Sequence, residues 1–136
     1  MKNKLMVFGF IALAVLFVFS MAACDNAPKG DVETSFNGSW YSSVKDETFT
    51  FTIAEGASSG DFVKMQNDGS GERGTFTYTA TRFTTTIVEY KKWVGDNLSD
   101  WLPFVPTTEK SGVEPRDYKF GVGSIKIWTY VYTKQP

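Results

Sequence analysis

The stretch TFTFTI, residues 48–53, decides the fold, because a threonine and an apolar residue alternate at every step. Successive side chains of a β-strand point to opposite faces, so the threonines share one face, and Phe49, Phe51 and Ile53 share the other. Residues 75–80, TFTYTA, repeat the pattern. One polar and one apolar face is typical of an antiparallel sheet that covers a core on one side only.

The same kind of short run, rich in threonine and aromatic residues, recurs from Phe36 to the end of the chain, with turn-forming residues between the runs. This spacing is typical of an all-β barrel or sandwich. We therefore predict a single antiparallel up-and-down β-barrel of about 7–8 strands. A β-sandwich is the alternative, because alternation does not show whether the first and last strands pair. The predicted strands are residues 38–44, 47–54, 61–66, 73–80, 82–93, 116–122 and 124–133.

Residues 94–115 interrupt this pattern with three prolines and several apolar residues. Connections longer than about 12–15 residues are usually functional or disordered. The apolar content favours a packed loop or lid over one end of the β-structure, containing an eighth strand or a helical turn near residues 99–102. Loop aromatics often serve binding, so Trp93, Trp101 and Phe104 are the candidate contacts for a partner.

The first 23 residues have the build of a secretory signal peptide: two lysines, an apolar run and a small-residue exit. The next residue is Cys24, and MAAC, residues 21–24, resembles the lipobox of bacterial lipoproteins, with Met21 where leucine is usual. The resemblance implies cleavage before Cys24. It also implies a diacylglycerol on the Cys24 sulfur and a fatty acyl chain, such as palmitate, on its amino group. The alternatives are an uncleaved apolar membrane anchor and a soluble secreted protein.

Polar residues 24–35 indicate a flexible tether between the lipid and one domain, residues 36–136. More than one acyl chain is needed for stable membrane anchoring, and a lipidated Cys24 supplies it. We therefore expect a lipid-anchored protein of the bacterial cell envelope, on either the inner or the outer membrane.

Composition argues against several classes of function. The sequence has no histidine, so the usual general base near neutral pH and the commonest transition-metal ligand are missing. Its one cysteine is Cys24, and its 14 basic residues form no block of the kind that nucleic-acid binding needs. Glu89, which lies between two apolar residues, is expected to point outward. We expect no enzymatic activity, cofactor, metal site or nucleic-acid partner.

The first predicted strand begins with Asn37-Gly38-Ser39-Trp40, and this Gly-x-Trp opening resembles lipocalin-like domains of the calycin type. The resemblance extends over most of residues 37–133 and is strongest to small bacterial lipoproteins that carry such a domain after a lipobox. It implies that Trp40 plugs the closed end of a barrel. Lipocalins cover this tryptophan with a late arginine, whereas the last strand here carries Lys126 and Lys134.

A barrel of about eight strands either fills with side chains or holds one small ligand. The expected function is non-catalytic binding of a small apolar or amphipathic molecule inside the barrel. The alternative is an envelope or surface module that contacts a protein partner through residues 94–115. The candidate ligand-binding residues are the aromatics Trp40, Phe51, Phe76, Tyr78, Trp128 and Tyr130.

Overall fold

The structure, a computed structural model, describes residues 31–136, which contain no helix and therefore none that could cross a membrane. The predicted signal peptide, Cys24 and most of the tether lie outside the described residues. Residues 31–136 form eleven strands: β1 (Gly38–Ser42), β2 (Glu47–Ile53), β3 (Ser59–Gln66), β4 (Gly71–Tyr78), β5 (Arg82–Lys91), β6 (Trp93–Val94), β7 (Asn97–Leu98), β8 (Leu102–Pro103), β9 (Val113–Gly121), β10 (Ser124–Ile127) and β11 (Tyr130–Lys134).

Eight of these strands close into an antiparallel barrel. In the order β1, β2, β3, β4, β5, β9, β10 and β11, each strand pairs with the next strand of this series. Strand β1 also pairs with β11, with Trp40 opposite Lys134 and Tyr41 opposite Thr133. Because the first strand pairs with the last, the fold is the predicted up-and-down barrel and not a sandwich.

The prediction of a single strand over residues 124–133 is wrong. The chain reverses at Trp128 and Thr129, so that Ile127 of β10 lies opposite Tyr130 of β11. Trp128 has a φ of 53°, a left-handed conformation that glycine usually supplies in such turns, and the sequence has no glycine there. The eighth strand of the barrel therefore comes from this hairpin.

The long connection between β5 and β9 contributes strands that lie outside the closed ring. Strands β6 and β7 form a small hairpin, and β8 pairs with the far end of β5, where Tyr90 lies opposite Leu102. The helical turn considered near residues 99–102 does not form. This insertion follows the side of the barrel and reaches one of its ends.

The opposite end, here called the closed end, is where the described chain enters the barrel and where residues 54–58, 79–81 and 122–123 connect strands. Phe36, which belongs to no strand, is 1% exposed at the centre of this end. Six rings have their centroids 4.6–5.6 Å from that of Phe36: Phe51, Phe76, Tyr78, Phe83, Tyr118 and Phe120.

Trp40 is completely buried beside Phe36, and its indole Nε1 donates a 2.6 Å hydrogen bond to the Phe36 carbonyl. The Lys134 Nζ lies 5.3 Å from the centre of the Trp40 ring. Lys134 also forms a 2.7 Å ion pair with Glu33, and Val32 forms a β-bridge with Val122. Two residues assigned to the tether by sequence are therefore already bound to the closed end.

We predict that Phe36→Ala lowers the free energy of unfolding by about 3–5 kcal/mol, because it leaves a cavity that the surrounding rings cannot close. Urea denaturation of residues 29–136, which contain every described strand and the whole aromatic core, measures this loss. Val44→Ala is the control, since Val44 is 75% exposed and its truncation should cost no more than about 0.5 kcal/mol. Equal losses for the two variants would contradict the central role of Phe36.

Candidate ligand-binding site at the barrel mouth

The end opposite the closed end, here called the mouth, is formed by residues 43–46, 67–70, 92–112 and 128–129. Near the mouth the barrel interior changes from aromatic to charged. One row of directly opposed residues crosses four strands: Phe49, Lys64, Glu72 and Tyr90. Opposed residues of antiparallel strands lie on the same face. Because Phe49 is buried in the core, the whole row points into the barrel.

A β-bulge at Val88 brings Tyr90 into this row. Gly74 lies opposite Ile87, but the next pairing skips Val88, which shifts the inside–outside alternation of β5 by one residue. Gly74 permits the bulge, since a Cβ atom at this position would lie 2.0 Å from the Thr86 carbonyl oxygen. The shift therefore places Tyr90 inside the barrel rather than outside.

The same bulge turns Glu89 to the outer wall, as the sequence predicted, where it accepts a 2.6 Å hydrogen bond from the Arg73 guanidinium. The Arg73 guanidinium lies 4.5 Å from the centre of the Trp101 ring, and the Lys91 Nζ lies 5.4 Å from it. Trp101, predicted to contact a partner, therefore packs against two cations on the outside of the barrel.

Glu72 is shared by two lysines inside the mouth. Its carboxylate lies 2.7 Å from the Lys64 Nζ and 2.9 Å from the Lys110 Nζ, and the side chains of Lys64 and Glu72 are only 16% exposed. Burial by itself would raise the pKa of Glu72, but the hydrogen bonds and charges of the two lysines outweigh it and lower the pKa below its ordinary value. Glu72 is therefore ionised at neutral pH, and the three groups together carry one positive charge.

Glu47 is a second carboxylate inside the barrel and is 6% exposed. It accepts hydrogen bonds from the Tyr132 hydroxyl and from the Gln66 side-chain amide, the latter at 2.6 Å. Burial raises the pKa of the Tyr132 phenol, and the bond to Glu47 raises it further. Tyr132 therefore stays protonated and holds Glu47 in place as a donor.

Arg116 is buried beside these groups, where it bonds to the Thr85 hydroxyl at 2.7 Å and pairs with Glu114. Its guanidinium lies 5.5 Å from the centre of the Trp128 ring, which is 55% exposed at the rim of the mouth. A bulky residue with a positive φ is strained, and such strain concentrates at functional sites. The turn therefore holds a large aromatic ring at the rim at some cost in stability.

Two cavities open at the mouth, and Lys64 and Gln66 line both. The outer cavity has a volume of about 390 Å³, and its walls include Tyr90, Phe104 and the charged groups around Glu72. The rings of Tyr90 and Phe104 meet edge to face at 6.3 Å. The inner cavity, of about 230 Å³, contains Glu47, Arg116 and Trp128 among its walls. No group of three acidic, cysteine or histidine side chains within residues 31–136 is placed to hold a metal ion.

Three of the six aromatics predicted to bind ligand, Trp40, Phe51 and Phe76, lie in the filled closed end and line neither cavity. Tyr78 lies there too, and its hydroxyl donates to the Ala57 carbonyl at 2.8 Å. The sequence could not reveal this filling, because Phe36 stands outside any alternating run.

The other two predicted ligand residues, Trp128 and Tyr130, line the inner cavity. Of the loop aromatics, Phe104 lines the outer cavity, so the insertion forms one wall of the mouth. Trp93 is 47% exposed, and its indole Nε1 donates to the Asp68 carbonyl at 3.1 Å.

Sequence reasoning missed the charged residues of the mouth. A signal was present in β3, where Phe62, Lys64 and Gln66 share one face by alternation. The opposite face carries Val63 and Met65, so both faces look apolar in part. Phe62 is buried in the core, and Lys64 lies two residues further along the same strand, so Lys64 also points inward.

We predict that Glu72→Gln removes a pH-dependent part of the stability of the fold. The pKa of Glu72 is lower in the folded chain than its ordinary 4.5, so its contribution is fully present above that pH and is lost as the pH falls through the folded pKa. The wild type should exceed the variant by about 1 kcal/mol at pH 7, and the difference should shrink steadily as the pH falls below 4.5.

Urea denaturation of both proteins at a series of pH values measures this difference. Glu55→Gln, at an exposed turn, is the matched control and should differ from wild type by no more than about 0.5 kcal/mol at each pH. A difference between wild type and Glu72→Gln that grows on acidification would contradict the role of the two lysines.

Comparisons with protein-family models, with curated proteins and with solved structures find no match to this chain. The barrel is therefore established by its strand pairing. A function for it has to be argued from the geometry and charge of the mouth.

Proposed function

We propose that this protein is an exported bacterial lipoprotein whose barrel binds a small amphipathic molecule at its mouth without converting it. The outer cavity is the observation that carries the binding proposal, because two aromatic rings, Tyr90 and Phe104, stand beside the charged groups Lys64, Glu72 and Lys110. Small-molecule sites are typically concave and of about 300–1,000 Å³, with apolar walls and a few polar groups. At about 390 Å³ the outer cavity has that character.

The packing of the closed end supports a site at the mouth over one deep in the barrel. The rings around Phe36 lie 4.6–5.6 Å from it, which is the ordinary spacing of aromatic rings in a core. A ligand there would have to displace Phe36 and break its bond with Trp40. The mouth needs no such rearrangement.

A membrane anchor at Cys24 would suit this arrangement. Cys24 precedes Asp31 by seven residues, and seven extended residues span at most about 25 Å. Since residues 31–36 join the barrel at the closed end, the lipid would hold that end towards the membrane. The mouth would then face the aqueous side.

We predict that the protein incorporates a clickable palmitate analogue in the producing bacterium and sediments with membranes. Cys24→Ser should abolish both labelling and maturation, because the thiol accepts the first lipid. Mass spectrometry of the mature chain should place its first residue at Cys24. Retention of unlabelled Cys24→Ser in membranes at the full precursor mass would instead support the uncleaved anchor.

We predict that residues 29–136, purified from the producing bacterium, retain a small molecule of discrete mass in native mass spectrometry. Phe104→Ala should reduce the retained fraction at least about fivefold, since it removes one wall of the outer cavity. Val105→Ala is the matched control, because the neighbouring Val105 is 73% exposed. A bare polypeptide mass, unchanged after incubation with a lipid extract, would contradict ligand binding.

The second candidate function is contact with an envelope protein through residues 94–115. Exposed apolar side chains on and beside this insertion favour it, namely those of Trp93, Val94 and Val105, which are 47–73% exposed. Apolar side chains exposed together mark interaction surfaces more often than isolated ones do. The cavity beside Phe104 is the reason that we rank ligand binding first.

A further inference from the structure

We propose that the ligand of the mouth is an anionic amphipath. Its apolar body lies against Tyr90 and Phe104, and its carboxylate, sulfonate or phosphate group is held by Lys64 and Lys110. This inference rests on the proposed binding function and adds the charge of the ligand and the groups that recognise it.

The first argument is the distribution of charge. The complete chain has a formal net charge of −1, yet the mouth has an excess of positive charge. Lys45, Lys64, Lys110 and Arg116 line the two cavities, and the carboxylates of this region are Glu47, Glu72 and Glu114, the last of which pairs with Arg116. Lys91 also lines the outer cavity, but its ammonium group lies beside Trp101 on the outside of the barrel. A cleft with an excess of one sign focuses the field and attracts ligands of the opposite sign.

The second argument is the arrangement around Glu72. One carboxylate serves two ammonium groups, each of which has three N–H donors, so the cluster has one positive charge and donors in excess of its own acceptors. Lys64 is only 16% exposed, and charges interact more strongly in such surroundings than in bulk water. An anion that enters the outer cavity can accept hydrogen bonds from both ammonium groups, and it neutralises the one positive charge of the cluster.

A cationic ligand fits less well. Glu47 is the carboxylate of the inner cavity, but both of its oxygens already accept hydrogen bonds, from Tyr132 and Gln66. Lys64 and Arg116 line the same cavity and would repel a cationic ligand there. The carboxylate of Glu72 is engaged by its two lysines.

The outer cavity also limits the size and the source of the ligand. Its volume of about 390 Å³ is near the lower end of the range for small-molecule sites, roughly 300–1,000 Å³. It therefore holds a compact aromatic or short aliphatic body. The mouth lies at the end of the barrel opposite to the entering chain, so a lipid on Cys24, as proposed above, would leave it facing away from the membrane. We therefore expect a dissolved ligand rather than a lipid of the anchoring bilayer.

Two fluorescent probes test the charge directly, because they share one aromatic skeleton and differ by a sulfonate. These are 1-anilinonaphthalene-8-sulfonate and the neutral N-phenyl-1-naphthylamine, each titrated into folded residues 29–136. The sulfonate should bind at least about ten times more tightly than the neutral probe. This advantage should shrink as salt is added, because salt screens partly exposed charges.

Variants of the mouth should shift binding of the anionic probe in opposite directions. Lys110→Gln should weaken it about fivefold, and Glu72→Gln should strengthen it several-fold by releasing both lysines. Neither variant should change binding of the neutral probe more than about twofold. Lys126→Gln is the matched control, since Lys126 is exposed on β10 and lines neither cavity. Partial unfolding exposes apolar surface to both probes, so a gain for Glu72→Gln that is confined to the anionic probe reports the released lysines and not a loss of structure.

Equal affinity for the two probes, or no response to Lys110→Gln and Glu72→Gln, would overturn the anion assignment and leave the proposed binding function standing. Failure to bind either probe, together with a bare mass from the producing bacterium, would overturn both. Residues 29–136 should not sediment with vesicles of phosphatidylcholine and phosphatidylglycerol. Sedimentation that depends on Lys110 would overturn the assignment of a dissolved ligand.

Discussion

The contact between Phe36 and the closed end of the barrel is the constraint on which the rest of the structure depends. An eight-stranded barrel is just wide enough for its interior to fill with side chains or to hold one small ligand. Phe36 enters from outside the strands, its ring meets six others, and its carbonyl accepts the Trp40 indole. Phe36 and the six rings around it therefore fill the closed end, and the open space of the interior lies at the mouth.

The charged interior of the mouth has a different physical character. Burying a charge is costly even when it is paired, and paired charges in an interior often stabilise a fold no better than apolar side chains would. The row that contains Lys64 and Glu72 could have continued the aromatic packing below it, since both residues lie on the inward face of their strands. Departures of this kind from the local packing pattern are expected at functional sites. Trp128, held with a positive φ at the rim, is another departure at the same end.

The β-bulge at Val88 connects the backbone to the chemistry of the mouth. It turns Tyr90 inward beside Glu72 and turns Glu89 outward to Arg73. The sequence predicted the outward position of Glu89 without its cause, and it gave no reason to place Tyr90 inside. Because a bulge depends on how two strands pair, with Gly74 of β4 allowing the close approach, the residues of β5 alone do not reveal it.

The sequence by itself determined the all-β class, and it placed most strands to within about three residues, because alternation and turn residues are local properties of the chain. The resemblance to lipocalin-like domains implied that Trp40 lies at the closed end. The sequence also offered Trp40 as a ligand contact and Phe104 as a contact for a protein partner. Only the tertiary structure decided that the first and last strands pair, that residues 124–133 form a hairpin and that Phe36 fills the interior. The tertiary structure alone also brings Lys64, Glu72 and Lys110 together. These features depend on contacts between residues far apart in the chain. A local sequence pattern does not reveal which residues of two strands lie opposite each other, or which face of a strand points inward.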